Sequence, residues 1–259
     1  MISIRIPLYE FEKLLVIFLR VGAILFAAPV IGSSTVPLRF KIGLALLTAF
    51  LLTPVVSVNL PALPAHPLAL APVLIREVLM GAALGLAARY IFAAVQLSGQ
   101  FISYQMGFSI ANVLDLQENE EVSIVSQLQD VILTLVFLGT GAHHIYLRAV
   151  AGSFEAVPPL GGAVSGRLVE ALLLMSSSMF VVAIKIGAPL LAALLFVNVV
   201  LALVARMVPQ MNVLIVGFPL SITVGLMFLG MTLPLFTTFT ERLFGHLGED
   251  LVALLRLMG

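Results

Sequence analysis

The chain has 259 residues, of which 61% are hydrophobic and only 10% are charged, with 13 Lys and Arg balanced by 13 Asp and Glu. This composition lies outside the range of soluble domains and indicates a membrane-associated α-helical protein, and the lack of a basic surface argues against nucleic-acid binding. No cysteine is present, which excludes disulfides, thiolate metal sites and cysteine nucleophiles.

Two hydrophobic blocks open the chain, and each approaches the roughly 20 helical residues that cross a bilayer. The first, residues 14–31, contains Arg20 as its one charge. We interpret it as a retained helix, because acidic residues precede it where a signal peptide would be basic. The second, residues 42–58, contains Pro54, which we expect to kink the helix or to end it early.

A third helical block is predicted to begin at Arg76, after a proline-rich loop at residues 59–72. Gly81 and Gly85 lie about one turn apart in it, a small-residue pattern that lets helices pack closely in an apolar medium. Arg89 lies near its middle, and a lone arginine in hydrocarbon is costly. We therefore expect Arg89 to face the protein interior, to pair with an acid or to lie outside the hydrocarbon.

Residues 95–126 form a polar interruption between the apolar blocks, rich in Gln, Glu, Asn and Asp. Unpaired polar groups in hydrocarbon are costly, so this stretch must face water or protein. It also keeps many apolar side chains, and Gly99 and Gly107 would let the chain change direction at little steric cost. A solvent loop and a constriction or mobile loop are both compatible with this pattern.

A fourth block, residues 124–141, contains Asp130 and is followed by His143 and His144. Adjacent helical residues point about 100° apart, which is the wrong geometry for two ligands of one metal. We therefore interpret the histidines as polar residues at a helix end. A proline and glycine connector follows at residues 158–162.

Residues 171–205 contain a single charge, Lys185. This length exceeds one bilayer crossing, so it predicts two short spans, a long helix broken near Pro189 or a helix that extends past the bilayer. A short polar turn follows, and the last apolar block, residues 213–240, leads into an amphipathic tail.

Five segments now point to one family, and in chain order they are Lys41-Ile-Gly-Leu-Ala, Arg76-Glu77 with Gly81 and Gly85, GQFISYQMGFSIA at 99–111, SFEAVPPLGG from Ser153, and ARMVPQMNVLIVGFPL at 205–220. Together they cover nearly the whole chain. The sequence resembles the FliR/SctT family of type III secretion export-gate proteins, in particular its flagellar members.

This resemblance implies an all-α fold of long, kinked apolar helices. A FliP-like part, residues 1–163 with the plug loop at 95–126, would precede a FliQ-like hairpin and an amphipathic tail, residues 164–259. It implies assembly with FliP and FliQ, with FlhB and FlhA nearby, into a channel for unfolded exported proteins. The location implied is the bacterial inner membrane at the flagellar basal body, largely above the bilayer plane.

The resemblance also places candidate site residues. The pore plug would contain Met106, Gly107, Phe108, Ser109, Ile110, Asn112 and Asp115. Helix packing or subunit contacts are predicted for Gly81, Gly85, Gly99, Arg76, Glu77, Arg206, Pro209, Gln210 and Asn212. We expect no catalytic residue, no metal site and no cofactor.

Three other interpretations compete with a gate subunit. A proton-coupled small-molecule transporter would use Arg89, Asp130 and Lys185 as relay groups within the membrane. An intramembrane hydrolase would pair Ser153 with one of the two histidines, although the chain has no G-x-S-x-G or HExxH motif. A pure scaffold would differ from a gate only in keeping the 95–126 loop fixed.

Overall fold

The structure is a computed structural model that describes residues 8–56, 64, 66–108, 123–208, 210 and 213–259. Within these ranges the chain is helical and contains no β-strand, which confirms the predicted all-α fold. The helices of the described residues are α1 (Leu8–Ala27), α2 (Leu38–Leu52), α3 (Pro67–Met106), α4 (Ile124–Gly139), α5 (Ala142–Ala156), α6 (Gly166–Met207) and α7 (Val213–Met258).

A tight turn joins α1 to α2. The Gly32 N–H donates to the Ala28 carbonyl at 3.0 Å, and Lys41 Nζ, from α2, donates to the Gly32 carbonyl at 3.1 Å. The helix α2 ends at Leu52, just before Pro54. Of the two predicted effects of Pro54, the structure shows the early end: Thr53 still has helical φ and ψ, but Pro54 has no N–H with which to continue the helical hydrogen bonds.

The helix α3 begins earlier than predicted. It starts at Pro67 rather than at Arg76, so the last part of the predicted proline-rich loop is helical. Proline fits the first turn of a helix because its missing N–H would have had no helical partner there. Pro72, further along, removes only one backbone hydrogen bond from the helix.

The same helix also ends later than predicted, at Met106, so the first part of the predicted 95–126 loop is helical. Ser98 and Ser103 in this part are buried. Small hydroxyl side chains are compatible with a helix that packs against its neighbours, so the polar composition here does not indicate a loop. Residues 109–122 lie outside the described part of the chain.

Two very long helices, α6 and α7, form most of the C-terminal part. Pro189 lies inside α6, and Pro219 and Pro234 lie inside α7, yet each helix is continuous. Of the three interpretations of residues 171–205, a helix longer than one bilayer crossing is therefore the correct one. In apolar surroundings a break would unpair more backbone groups than the one bond that an internal proline removes.

Among the described residues, three helices, α3, α6 and α7, are long and apolar enough to cross a membrane, and α4 with α5, bent by 67°, forms a further candidate. In the most apolar window of each, 56% of α3 is buried within this chain, but only 17% of α6 and 22% of α7. The helices α6 and α7 therefore leave most of their apolar surface for contacts with lipid or with other protein.

The chain folds into two compact units. One takes its described residues from 1–90, 141–176 and 245–259, and the other from 91–140 and 177–244. Each unit contains residues from both sides of position 163, so the units reflect packing in space and not the order of the chain. The division into 1–163 and 164–259 stays a prediction.

Candidate gate region

Met106 ends α3 inside the core of the unit that holds residues 91–140 and 177–244. It has no exposed surface and lies in a buried apolar cluster with Ile102, Val125, Leu190 and Leu194. Phe108 is partly buried and packs against the same cluster. A Cβ added to Gly225 on α7 would lie 2.7 Å from the Met106 Cε, so this glycine makes room for the methionine. Apolar packing from α3, α4, α6 and α7 thus anchors the start of the predicted gate loop.

Gly107 turns the chain immediately after α3. Its φ is +91°, a region that residues with a Cβ rarely adopt, and its N–H donates to the Tyr104 carbonyl at 3.1 Å. A Cβ at this position would lie 2.6 Å from Cδ1 of Phe218 on α7. Backbone conformation and steric contact therefore both require glycine here.

Ser123, which follows residues 109–122, caps the N-terminus of α4. Its hydroxyl oxygen accepts from the Ser126 N–H at 3.1 Å, and it also hydrogen-bonds the Ser103 hydroxyl on α3. One turn earlier on α3, a Cβ added to Gly99 would lie 2.5 Å from the Ser126 Cα. The Ser126 hydroxyl donates to the Gln96 carbonyl at 2.9 Å. Close packing of α3 on α4 therefore places Ser123, which follows residues 109–122, beside the last turn of α3.

Six predicted site residues lie outside the described part of the chain: Ser109, Ile110, Asn112, Asp115, Pro209 and Asn212. Arg206, in the last turn of α6, and Gln210 are exposed.

Gly81 and Gly85 lie on the side of α3 that touches α1. A Cβ on Gly81 would lie 2.5 Å from the Arg20 carbonyl oxygen, and one on Gly85 would lie 2.8 Å from the Ile24 carbonyl oxygen. The two backbones approach so closely that there is no space for larger residues at either position.

Arg20, the one charge of the apolar block at residues 14–31, forms a buried ion pair with Glu77 of α3. The Arg20 Nε donates to the Glu77 Oε2 at 2.6 Å, with exposed fractions of 1% and 0% for the two side chains. The guanidinium also donates to the carbonyls of Ser153 at 3.1 Å and Val157 at 2.7 Å, and its Cζ lies 4.7 Å from the centre of the Phe154 ring. Paired and hydrogen-bonded, this charge is stable inside an apolar unit.

The turn after α5 is held by both members of the Arg76-Glu77 motif. Leu160 adopts φ +66°, its N–H donates to the Glu77 Oε1 at 2.7 Å, and its carbonyl accepts from the Arg76 Nη2. Two of the five family segments, Arg76-Glu77 and SFEAVPPLGG, therefore meet at this turn. Arg20 completes the arrangement, although it lies in neither segment.

The residues of the transporter interpretation do not form a relay in the described residues. Arg89 and Lys185 are exposed. Asp130 is half buried and accepts a hydrogen bond from the Gln96 Nε2 at 3.1 Å. The ion pairs of the described residues are Arg20 with Glu77 and His246 with Glu249, so none of the three charges belongs to one.

The residues of the hydrolase interpretation are far apart. Ser153 is fully buried, and its hydroxyl donates to the Val150 carbonyl at 2.7 Å. His144 lies nine residues earlier on the same helix, which is about 13 Å along the axis. Neither histidine is within reach of the Ser153 hydroxyl, so this group of residues cannot act as a nucleophile and base.

Ser123, Phe218 and a partner for Arg20 were not among the features predicted from the sequence. The available signals for the Arg20 and Glu77 pair were a lone cation in the first apolar block and a lone acid in the third, because opposite charges in such blocks stabilise each other. The serine preceding the apolar block at Ile124 was a signal for a helix cap. Phe218 offered no local signal, since its role depends on where α7 packs.

Comparison with known proteins gives consistent results. The family model for bacterial export proteins, family 1, matches residues 11–247. The chain is 32% identical over 230 residues to the flagellar biosynthetic protein FliR of Escherichia coli (strain K12), covering 88% of this chain and 87% of the relative. It is 33% identical over 257 residues to the protein of that name from Bacillus subtilis (strain 168), covering 96% of each. These matches confirm the resemblance drawn from the five segments, and the chain belongs to the family of bacterial export proteins, family 1.

Proposed function

We propose that this chain is a non-enzymatic core subunit of the flagellar type III protein export gate. With FliP and FliQ it would form the channel through which unfolded flagellar proteins leave the cell, beside FlhA and FlhB in the inner membrane at the basal body. Its family and its similarity to flagellar biosynthetic proteins support this proposal.

The observation that carries the proposal is the uncovered apolar surface of α6 and α7. Helices of 42 and 46 residues exceed one bilayer crossing, so lipid alone does not account for their length. With only 17% and 22% of their most apolar windows buried in this chain, they offer long faces to other helices. Sister subunits of the same apolar character would cover these faces.

We further propose that the stretch from Met106 to Asp115 is the seal of this channel. A gate needs apolar side chains to exclude water and ions when closed, and a hinge that lets it move. Phe108 supplies an apolar group beside the hinge, Met106 anchors the hinge in the core, and Gly107 supplies the hinge at φ +91°. A cavity of about 250 Å³ borders Gly107, so the hinge has free space beside it.

The test is ion leakage through the assembled complex. The chain would be co-purified with FliP and FliQ, reconstituted into potassium-loaded vesicles and assayed for potassium release. We expect wild type to retain potassium, and both Gly107→Ala and deletion of residues 108–115 to release it. Gly230→Ala on α7 is the matched control, since an added Cβ there meets nothing within 4 Å. Unchanged retention in assembled variant complexes would contradict the seal.

A transporter would behave differently in the same vesicles. Reconstituted alone, it would move a solute with protons, whereas a gate subunit would be inactive without FliP and FliQ. A pure scaffold would also assemble, but cross-linking the loop shut would leave export unchanged, while the gate proposal predicts that export stops.

A further inference from the structure

Lys185 is the only charge in the long apolar stretch of α6 between residues 171 and 205. It is exposed in this chain and has no ion-pair partner among the described residues. With a rise of 1.5 Å per residue, it lies about 28 Å from the nearer end of α6, so its side chain cannot reach a charge at either end of the helix. An ammonium group in apolar surroundings needs a counter-charge near it.

A cavity of about 110 Å³ lies beside Lys185. Gln129 of α4 and Thr232 of α7 also line it, and the rest of its wall is almost entirely apolar. Gln129 is only 4% exposed, and its Oε1 accepts no hydrogen bond from the described residues. This oxygen lies against Gly99 of α3, where an added Cβ would be 2.9 Å from it, so the amide NH₂ group is the part of Gln129 left to face the cavity.

A carboxylate fits this pair of side chains. Its two oxygens would accept hydrogen bonds, one from the Lys185 ammonium and one from the Gln129 NH₂ group. The apolar wall of the cavity suits the neighbouring side chains of a helix that carries this single acid.

We propose that Lys185 and Gln129 bind one Asp or Glu side chain from an apolar helix of a neighbouring subunit. The proposal rests on the proposed function, in which FliP and FliQ surround this chain. A phospholipid headgroup is the competing anion, and it would leave Lys185 without a cross-link to a protein carboxylate. The carboxylate would neutralise the one charge that keeps the apolar face of α6 from docking.

The first test replaces Lys185 in the co-expressed complex and measures how much complex is recovered. Lys185→Met keeps the length and apolar stem but removes the charge, and we expect at least about a tenfold loss, as for one partner removed from a desolvated pair. Lys185→Arg should retain the complex. Arg167→Met, which removes an exposed charge in the first turn of α6, is the matched control and should have no effect.

The second test identifies the acid. An apolar carbodiimide activates a carboxylate, and attack by the Lys185 amine then forms an amide with loss of the activated oxygen as a urea. Mass spectrometry should find Lys185 joined to an Asp or Glu of FliP or FliQ. A link to a carboxylate of this chain, or no link from Lys185 in the intact complex, would overturn the proposal.

The two proposals fail in different ways. If the wild-type chain does not co-purify with FliP and FliQ, both are wrong. If the wild-type complex forms and Lys185→Met forms it equally well, only the inference about Lys185 is wrong. Circular dichroism of the isolated Lys185→Met chain in detergent should match wild type, so a lost complex would report the interface rather than misfolding.

Discussion

Arg20 of α1 and Glu77 of α3 form an ion pair 2.6 Å long that is closed to solvent, and this pair also fixes the turn that follows α5. The guanidinium donates to the carbonyls of Ser153 and Val157, while the second Glu77 oxygen accepts from the Leu160 N–H. Three elements distant in the chain are therefore held by one hydrogen-bonded group of side chains. Such groups stabilise a fold only when their partners are all present.

Arg20→Met should destabilise the chain strongly. It leaves the Glu77 carboxylate buried without its cation, a change that typically costs about 3–5 kcal/mol. Denaturant unfolding of the purified chain in detergent, followed by circular dichroism, measures the loss. Glu249→Gln is the control, because it breaks an exposed pair with His246 and should leave the unfolding midpoint unchanged. Equal effects of the two substitutions would contradict the role given to the buried pair.

Gly81→Ala and Gly85→Ala should each weaken the contact of α1 with α3. An added methyl group at either position meets α1 backbone at less than 3 Å, so the helices must move apart. The same unfolding measurement should show a loss of about 1–3 kcal/mol for each, as for overpacking elsewhere. Gly43→Ala on α2 adds a methyl group in open space and should be neutral or slightly stabilising. A neutral Gly81→Ala would be inconsistent with this close approach.

Gly107→Ala should destabilise the turn for two separable reasons. The left-handed φ of +91° costs about 1–2 kcal/mol for a residue with a Cβ, and the Cβ also collides with the Phe218 ring. Adding Phe218→Ala removes the collision but keeps the backbone strain. We therefore expect Gly107→Ala to lower the free energy of unfolding less in a Phe218→Ala background than in wild type, because only the backbone strain remains there. Identical losses in both backgrounds would show that Phe218 does not constrain Gly107.

Ser123→Ala should loosen the end of the gate loop that adjoins α4. It removes the cap that accepts the Ser126 N–H, worth about 0.5–2 kcal/mol, together with the hydrogen bond to Ser103. Ser103→Ala removes only the second interaction and keeps the cap. We expect the Ser123 variant to unfold at lower denaturant than the Ser103 variant; the reverse order would contradict the capping role.

The sequence correctly predicted features that depend on residues close together along the chain. Pro54 indicated where α2 ends, and the apolar block from Ile124 located α4 closely. A polar composition wrongly indicated a loop from residue 95, because Ser98 and Ser103 of α3 are covered by packing that sequence does not reveal.

The candidate site was predictable in part for the same reason. The Met106-Gly107-Phe108 segment indicated apolar closure beside a flexible position, and the structure places Gly107 at a left-handed φ. The contact of Phe218 with Gly107 joins residues far apart in the chain, as does the pairing of Arg20 with Glu77. Such contacts follow from tertiary packing, which no local pattern encodes.

The central claim is that α6 and α7 meet sister subunits around a channel sealed by the loop that begins at Met106. Cryo-electron microscopy of the chain co-expressed with FliP and FliQ tests it most directly. We expect the exposed apolar faces of α6 and α7 to contact helices of those proteins, with the loop across the channel. A solitary chain surrounded by lipid or detergent, with its loop in solvent, would contradict the account.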